Sequence, residues 1–235
     1  MDRRVMAICG FLIAAPPLAA AEEAAEGGPP PLPVAGPYLM FDFSAGSPND
    51  PQAAGVYEAD LGMELGTRLG AGYDFDGPRL EAQLGYERFY LNNVNPVPGS
   101  PLEEADTTGD LKGLVMMANL YYDFGVVGGA RPFLGGGIGF AKLEADYHGF
   151  YCTLLPPGCY GGEKVVTGSD TVTAWQAMAG LSMPLRSGRG YWFLGYRYFG
   201  TDDIGLNVVG VGPVTQEGVE AHSIMLGWRF MLRAF

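Results

Sequence analysis

Residues 65–87 read LGTRLGAGYDFDGPRLEAQLGYE, and this stretch decides the fold. In 65–75 every second residue is apolar or threonine, and the residues between them are Gly, Arg or Asp. Residues 80–87 alternate in the same way after the turn-forming Asp76-Gly77-Pro78. A period of two is typical of β-strands whose two faces meet different surroundings. The stretch therefore predicts two antiparallel strands joined by a tight turn.

The same alternation recurs along the chain and predicts eight strands. The connections between them alternate strictly between short and long, so all short turns fall at one end of the sheet and all long loops at the other. The fold class expected is all-β, an eight-stranded antiparallel up-and-down barrel. The strands are expected near 37–45, 65–75, 80–87, 111–124, 132–147, 170–185, 190–200 and 224–232, and the long loops at about 46–59, 93–110, 148–169 and 204–217.

Each expected strand has one apolar face and one small or charged face. A water-soluble sandwich or lipocalin-like barrel would bury the apolar faces, whereas a membrane barrel turns them to lipid. Inward-facing Gly suits a narrow barrel, and aromatic residues near both strand ends are typical of membrane interfaces. These observations favour the transmembrane barrel. The interfacial aromatics expected are Phe43, Tyr73, Phe75, Tyr86, Tyr122, Phe124, Phe140, Trp175, Trp192 and Phe230.

The composition excludes several other classes. The 235 residues include 37 Gly without a triplet repeat, which excludes collagen, and 12% aromatic residues, which disfavours a disordered chain. A net charge of −12 has the wrong sign for a nucleic-acid binder.

The N-terminal segment has the features of an export signal. Arg3 and Arg4 precede an apolar stretch, and Ala19-Ala20-Ala21 is a small-residue cleavage site, so we expect residues 1–21 to be removed after Ala21. A spanning anchor is the poorer alternative because the stretch is short and is followed by two prolines. Residues 22–36, rich in Pro, Ala and Glu, are expected to be a linker before a barrel at 37–235.

Two cysteines remain after that cleavage, Cys152 and Cys159. In an exported protein we expect them to form a disulfide that closes a small surface loop, contributing about 2–3 kcal/mol. The alternative is a metal site formed with His148. No other metal or cofactor motif is evident, and no cofactor is expected.

Charged residues recur on the inward face of the expected strands. An isolated ion inside a narrow barrel is costly, so we interpret these residues as a structural network of ion pairs. The alternative interpretation is a narrow, porin-like channel for ions or small solutes. The residues of the network are Asp42, Glu64, Arg68, Asp74, Glu81, Glu87, Asp123, Arg197 and Arg229.

Five successive segments resemble the strands of small outer-membrane β-barrel proteins of the opacity-protein and bacterial surface-antigen group, which are related in fold to the OmpA transmembrane domain. The resemblance covers about 37–235 and implies a bacterial outer-membrane location with the long loops outside. It also implies contact with outer-membrane lipid and lipopolysaccharide, and recognition of the C-terminal strand by the barrel-assembly machinery. Family members usually end on an aromatic residue in lipid-facing register, whereas here Leu232 occupies that place and Arg233-Ala234-Phe235 follow. The segments are 72–75, 117–124, 132–139, 195–199 and 222–230.

Some small outer-membrane barrels are enzymes that modify lipid A with a His and a Ser on the lipid-facing side of one strand. A His and a Ser on one face of a strand need a spacing of two, but His222 and Ser223 are adjacent and should face opposite sides. No catalytic residues are therefore expected. The long loops are rich in carboxylates, with Lys164 as their one cation, which suggests cation bridging to lipopolysaccharide phosphates or a surface for adhesion. The expected role is structural or surface interaction in the envelope, with the surface ligand unidentified.

Overall fold

The computed structural model describes residues 35–53, 55–100, 102–154 and 157–232, all as strands and their connections. The expected signal at 1–21, most of the linker and the last three residues lie outside this part. None of the described residues lies in a helix long and apolar enough to cross a membrane. The strands are β1 (Gly36–Pro48), β2 (Gln52–Ala53), β3 (Tyr57–Asp74), β4 (Pro78–Pro96), β5 (Leu102–Asp123), β6 (Arg131–Leu154), β7 (Pro157–Pro184), β8 (Gly190–Thr201), β9 (Ile204–Val208), β10 (Gly212–Gln216) and β11 (Glu220–Met231).

Eight of these strands close into a ring, which confirms the fold class. The order is β1-β3-β4-β5-β6-β7-β8-β11, every pair is antiparallel, and β11 pairs with β1. Following partner residues once around the ring from Asp74 leads back to β3 at Glu64, a displacement of ten residues from position 74 to position 64. This stagger tilts the strands and fixes a narrow barrel with a lumen that side chains can fill.

The short turns lie at one end of the barrel, which we call the turn end. They follow β3, β5 and β7, as the sequence predicts. In the first, Asp76 has a positive φ of 63° and its backbone N–H donates to Asp74 Oδ1 at 2.8 Å. An Asp-Gly pair accepts such a conformation at little cost. The first and last ring strands begin and end at this same end, since Gly36 pairs with Asp74 and Tyr38 with Met231.

We call the half of the ring nearest the turn end the lower barrel. It is polar inside and apolar outside. Its outward side chains form an exposed apolar belt, and its inward ones include every buried charged residue among those described. All ten aromatics expected at interfaces face outward, with Trp192 half-buried and the other nine exposed. Exposed members of the belt include Leu39, Leu69, Leu80, Leu84, Leu114, Met116, Leu120, Leu134, Ile138, Leu194, Ile224 and Leu226.

Beyond the belt, β3 to β7 continue as the upper barrel, in which the polarity is reversed. On β6, Leu143, Ala145 and Tyr147 are buried inside, while the outward neighbours Glu144 and Asp146 are charged. Because β1, β8 and β11 are shorter, the gap between β7 and β3 is filled here by β9, β10 and β2. The pairs that close it are β7 with β9, β9 with β10, Gln216 of β10 with Ala53 of β2, and β2 with β3.

The expected strand ends at the loop side were wrong. The segments 93–110 and 148–169 are mostly strand, since β5 starts at Leu102, β6 runs to Leu154 and β7 starts at Pro157. The physical reason is the change of surroundings: outside a membrane, a strand exposes charge and buries apolar residues, so its alternation no longer matches a lipid-facing pattern. Part of the expected loop at 204–217 likewise forms the β9–β10 hairpin.

Inward glycines make room for the larger lumen side chains. A Cβ on Gly66 would lie 2.1 Å from Glu87 Oε2, and one on Gly135 would lie 2.2 Å from the Tyr121 ring. Both contacts are far inside van der Waals distance. The high glycine content therefore serves close packing inside the barrel.

Candidate functional site: the lumen and its closure

An upper group of charges lies in the lumen where the belt ends. Arg68 Nε donates to Asp42 Oδ1 at 2.7 Å, and its Nη1 lies 3.0 Å from Glu87 Oε1. Arg197 Nη2 lies 3.0 Å from the same Glu87 oxygen, and its Nη1 is 3.7 Å from Glu64. Glu64 also accepts hydrogen bonds from the hydroxyls of Ser44, at 2.9 Å, and Ser223, at 2.6 Å. All of these side chains are buried.

A lower group lies near the turn end. Asp123 is held between two guanidinium groups, those of Arg79 at 2.9 Å and Arg229 at 3.0 Å. Arg229 also lies 3.7 Å from Asp74. The Arg79 guanidinium lies 4.3 Å from the centre of the Tyr121 ring, a cation–π contact that adds to the ion pairs.

Uncharged polar side chains connect the two groups. Glu81 accepts hydrogen bonds from the hydroxyls of Tyr38 and Tyr121 and from the Asn119 amide. Gln176 donates to Asn119 and accepts from Arg197 Nε at 2.7 Å. Hydrogen bonds thus run through the lower barrel from the turn end to the upper group.

The lumen contains more acids than bases. Six carboxyl groups face four guanidinium groups, and Glu81 has no guanidinium within 4.0 Å among the described side chains. Tyr and Asn donors serve Glu81 instead, and Ser donors assist Glu64. The buried carboxyl groups therefore outnumber the guanidinium groups that pair with them. Hydroxyl and amide donors form hydrogen bonds with the surplus carboxyl groups.

The structure brings all nine residues of the expected network into the lumen. It adds Arg79, which the sequence analysis missed because Arg79 directly follows a turn; its spacing of two from Glu81 is the signal that places it inside. The polar partners Gln83, Asn119 and Gln176 were also missed, since uncharged amides did not stand out among the inward residues. A cavity of about 20 Å³ remains beside Asp42, Arg79, Glu81 and Arg229, which is room for about one water molecule.

Above the upper group, apolar side chains fill the lumen. The Phe199 ring lies 4.4 Å from the Arg197 guanidinium and 6.5 Å from the Phe89 ring, so it separates the charges from the upper barrel. Tyr57 and Leu143 belong to the same buried cluster, and the Tyr57 hydroxyl donates to Gln216 Oε1 at 3.0 Å. The upper barrel therefore has the packed apolar interior of a soluble protein.

The cysteines lie at the tip of the long β6–β7 hairpin. Cys152 and Cys159 are cross-strand partners joined by a disulfide, with their Cα atoms 4.1 Å apart. The bridge closes the small loop at the tip, as expected, and it also clamps the strand pair there. With both sulfurs in the disulfide, neither is a free thiolate for the alternative metal site. His148 lies on the outer face of β6, with Nε2 3.4 Å from Asp146.

The second histidine lies on the outer face of β11. His222 is exposed and its Nδ1 makes a short hydrogen bond with the hydroxyl of Tyr196, whereas Ser223 faces the lumen and donates to Glu64. The two side chains thus lie on opposite faces of the strand.

Comparison with known proteins agrees with this architecture. Residues 7–230 match the family model described as outer membrane protein beta-barrel domain. The match spans most of the chain, so the protein belongs to this family of bacterial outer-membrane β-barrels. The lower barrel, with its apolar belt, is accordingly the part that lies in the outer membrane.

Solved structures show the same fold at low sequence identity. Neisserial surface protein A matches with a TM-score of 0.51 and 18% identity, over 83% of this chain and 97% of its own. The outer membrane protein OprG from Pseudomonas aeruginosa matches with a TM-score of 0.55 and 14% identity, over 86% of this chain and 99% of its own. No curated protein matches the chain. At these identities the likeness extends to the fold alone.

Proposed function

We propose that the protein is a closed outer-membrane barrel with a structural or surface-interaction role, and not a channel or an enzyme. The observation that carries this proposal is the apolar filling of the upper barrel. Ions that entered the lower lumen from the turn end would have to cross the layer around Phe89 and Phe199, both fully buried. Moving an ion into such packing is costly, so the closure opposes conduction.

The shape of the upper barrel supports a role in surface interaction. β5, β6 and β7 are 22, 24 and 28 residues long. Transmembrane strands of about 9–11 residues are enough to cross a bilayer. The excess length projects a disulfide-clamped hairpin beyond the membrane, and such a clamp suits binding because it lowers the conformational entropy that is lost on binding.

The placement of the histidines supports a non-enzymatic role. A hydrolytic site with a serine nucleophile needs the serine and a histidine base within hydrogen-bond reach. Ser223 is inside the barrel with Glu64, while His222 is outside with Tyr196. His148 lies beside Asp146, Lys112 and Lys164, and makes no hydrogen bond with a hydroxyl group among the described residues, its cross-strand partner Thr108 included.

Deleting the gene in the bacterium that carries it tests this role. We expect greater sensitivity to detergents or weaker attachment to surfaces, with unchanged uptake of small hydrophilic solutes. The wild-type gene should reverse both effects of the deletion. A matched variant that lacks the projecting tip, residues 148–164 replaced by a short turn, should restore membrane integrity but not attachment if the hairpin is the contact surface. Lower solute uptake in the deletion strain, with normal integrity and attachment, would support the channel and contradict the proposal.

A further inference from the structure

The cations on the outside of the barrel are confined to one flank. All three lysines of the chain, Lys112, Lys142 and Lys164, lie on β5, β6 and β7, and Arg88 lies on the neighbouring β4. The other described arginines lie in the lumen or at the turn end. At the loop end the remaining strands instead present carboxylates, such as Glu58, Asp60 and Glu220.

Three of these cations form a row at the upper edge of the apolar belt. Arg88, Lys112 and Lys142 each lie two residues from an exposed apolar residue of the belt, namely Tyr86, Leu114 and Phe140 respectively. Arg88 and Lys112 are direct cross-strand partners, and Lys142 is diagonal to Lys112 because Lys112 pairs with Glu144. Diagonal neighbours are about 7–8 Å apart, so the row is contiguous.

Three carboxylates lie beside the row: Asp110, Asp146 and Glu144, the last being the direct cross-strand partner of Lys112. Asp110 and Asp146, which balance it in part, lie on the side away from the belt: Arg88 pairs with Asp110, and Lys112 lies 3.6 Å from Asp110 and 3.8 Å from Asp146. A hydrogen bond from Lys164, at 3.0 Å, is the main reason that the pKa of Asp146 is lowered. Lys142 makes no ion pair with any described carboxylate.

A groove of about 240 Å³ crosses the barrel surface at this row. Tyr86 and Leu114 form its apolar side, Lys112 and Lys142 contribute ammonium groups, and Glu144 and Ser169 also line it. An amphipathic molecule with its chains along the belt would therefore meet two ammonium groups at the height of its headgroup. Cations at that height attract anionic headgroups, at about 1 kcal/mol per residue.

We propose that the outer face of β4–β6 binds the phosphorylated headgroup of an outer-leaflet lipid through Arg88, Lys112 and Lys142. The phosphate lies against the ammonium groups and the acyl chains lie along Leu114 and Phe140. This inference goes beyond the proposed role of the barrel, because a closed barrel needs no such site. It differs from the expected cation bridging through the acidic loops, because the contact is made directly by basic side chains.

Binding of lipid A to the folded full-length mature protein in detergent micelles tests the proposal. Native mass spectrometry would compare diphosphorylated lipid A with the same lipid after removal of its phosphates. The triple variant Arg88→Gln, Lys112→Gln, Lys142→Gln should bind the phosphorylated lipid about 100-fold more weakly, and the single variant Lys142→Gln about fivefold more weakly. The matched control Arg131→Gln, Arg186→Gln, Arg189→Gln removes the same charge at the turn end and should bind as wild type does.

Folding is checked by comparing the gel mobility of unboiled and boiled samples. Lys142→Gln keeps the test valid if the triple variant does not fold, because Lys142 makes no ion pair within the part of the chain that the structure describes. Equal loss in the two triple variants would show a general charge effect and overturn the proposal, as would equal binding of the dephosphorylated lipid. Displacement of the lipid by an equal concentration of inorganic phosphate would show a site for free anions and would also overturn it. The deletion phenotype tests a separate claim, so the two proposals fail independently.

Discussion

Replacing Arg197 by methionine is expected to destabilise the folded barrel by about 3–5 kcal/mol. Arg197 is fully buried and lies between Glu87, Glu64 and the Gln176 side chain. Without it, Asp42, Glu64 and Glu87 share the single guanidinium of Arg68. The measurement is unfolding in urea from phospholipid vesicles, followed by the fluorescence of the three tryptophans.

Two further variants separate loss of charge pairing from loss of packing. The double variant Arg197→Met, Glu87→Gln removes one charge of each sign and should recover most of the lost stability. Arg186→Met at the exposed turn end should change stability by less than about 0.5 kcal/mol. If the double variant is no more stable than Arg197→Met alone, the interpretation of the lumen as an ion-pair network is wrong.

Replacing Phe199 by alanine is expected to cost about 3–5 kcal/mol, because it leaves a cavity that neighbouring side chains cannot fill. Phe199 is fully buried at the boundary between the charges and the apolar upper barrel. Urea unfolding in the same vesicles measures the effect. Leu143→Ala, at a buried position farther up β6, is expected to cost about 2–5 kcal/mol by the same mechanism.

The matched control for this prediction is Phe150→Ala. Phe150 lies on β6, farther from the membrane than Leu143, but its ring is exposed. Its loss should therefore change stability by less than about 0.5 kcal/mol. Similar costs at Phe199 and Phe150 would mean that the upper barrel has no packed interior, and the argument for closure would fail.

The lower barrel could be predicted from sequence because lipid imposes a strict alternation on every strand. In 65–87 and 224–230 the apolar residues face lipid, and the positions between them place Arg68, Glu81 and Arg229 inside. The number of strands, the short turns and the inward charges all follow from this one pattern. Arg79 could have been identified by extending the alternation of the expected strand 80–87 by one residue toward the turn.

The upper barrel could not be predicted in the same way. Leu143, Ala145 and Tyr147 alternate with Glu144 and Asp146 as in an ordinary soluble strand, with the apolar face turned inward. No local feature of the sequence shows at which residue of a strand the surroundings change from lipid to water. The β9–β10 hairpin was also missed. Its role is to close the upper barrel by long-range pairing, in which Gln216 pairs with Ala53.

The central claim is that the lumen is closed, and ionic conductance in planar lipid bilayers tests it most directly. Purified, folded wild-type protein would be added to one side in molar potassium chloride, with a general porin as the positive control in the same bilayer. The account predicts a stable baseline without discrete steps from this protein, while the porin gives regular steps. Uniform, reproducible steps from the folded protein, lost on boiling, would contradict the closed lumen.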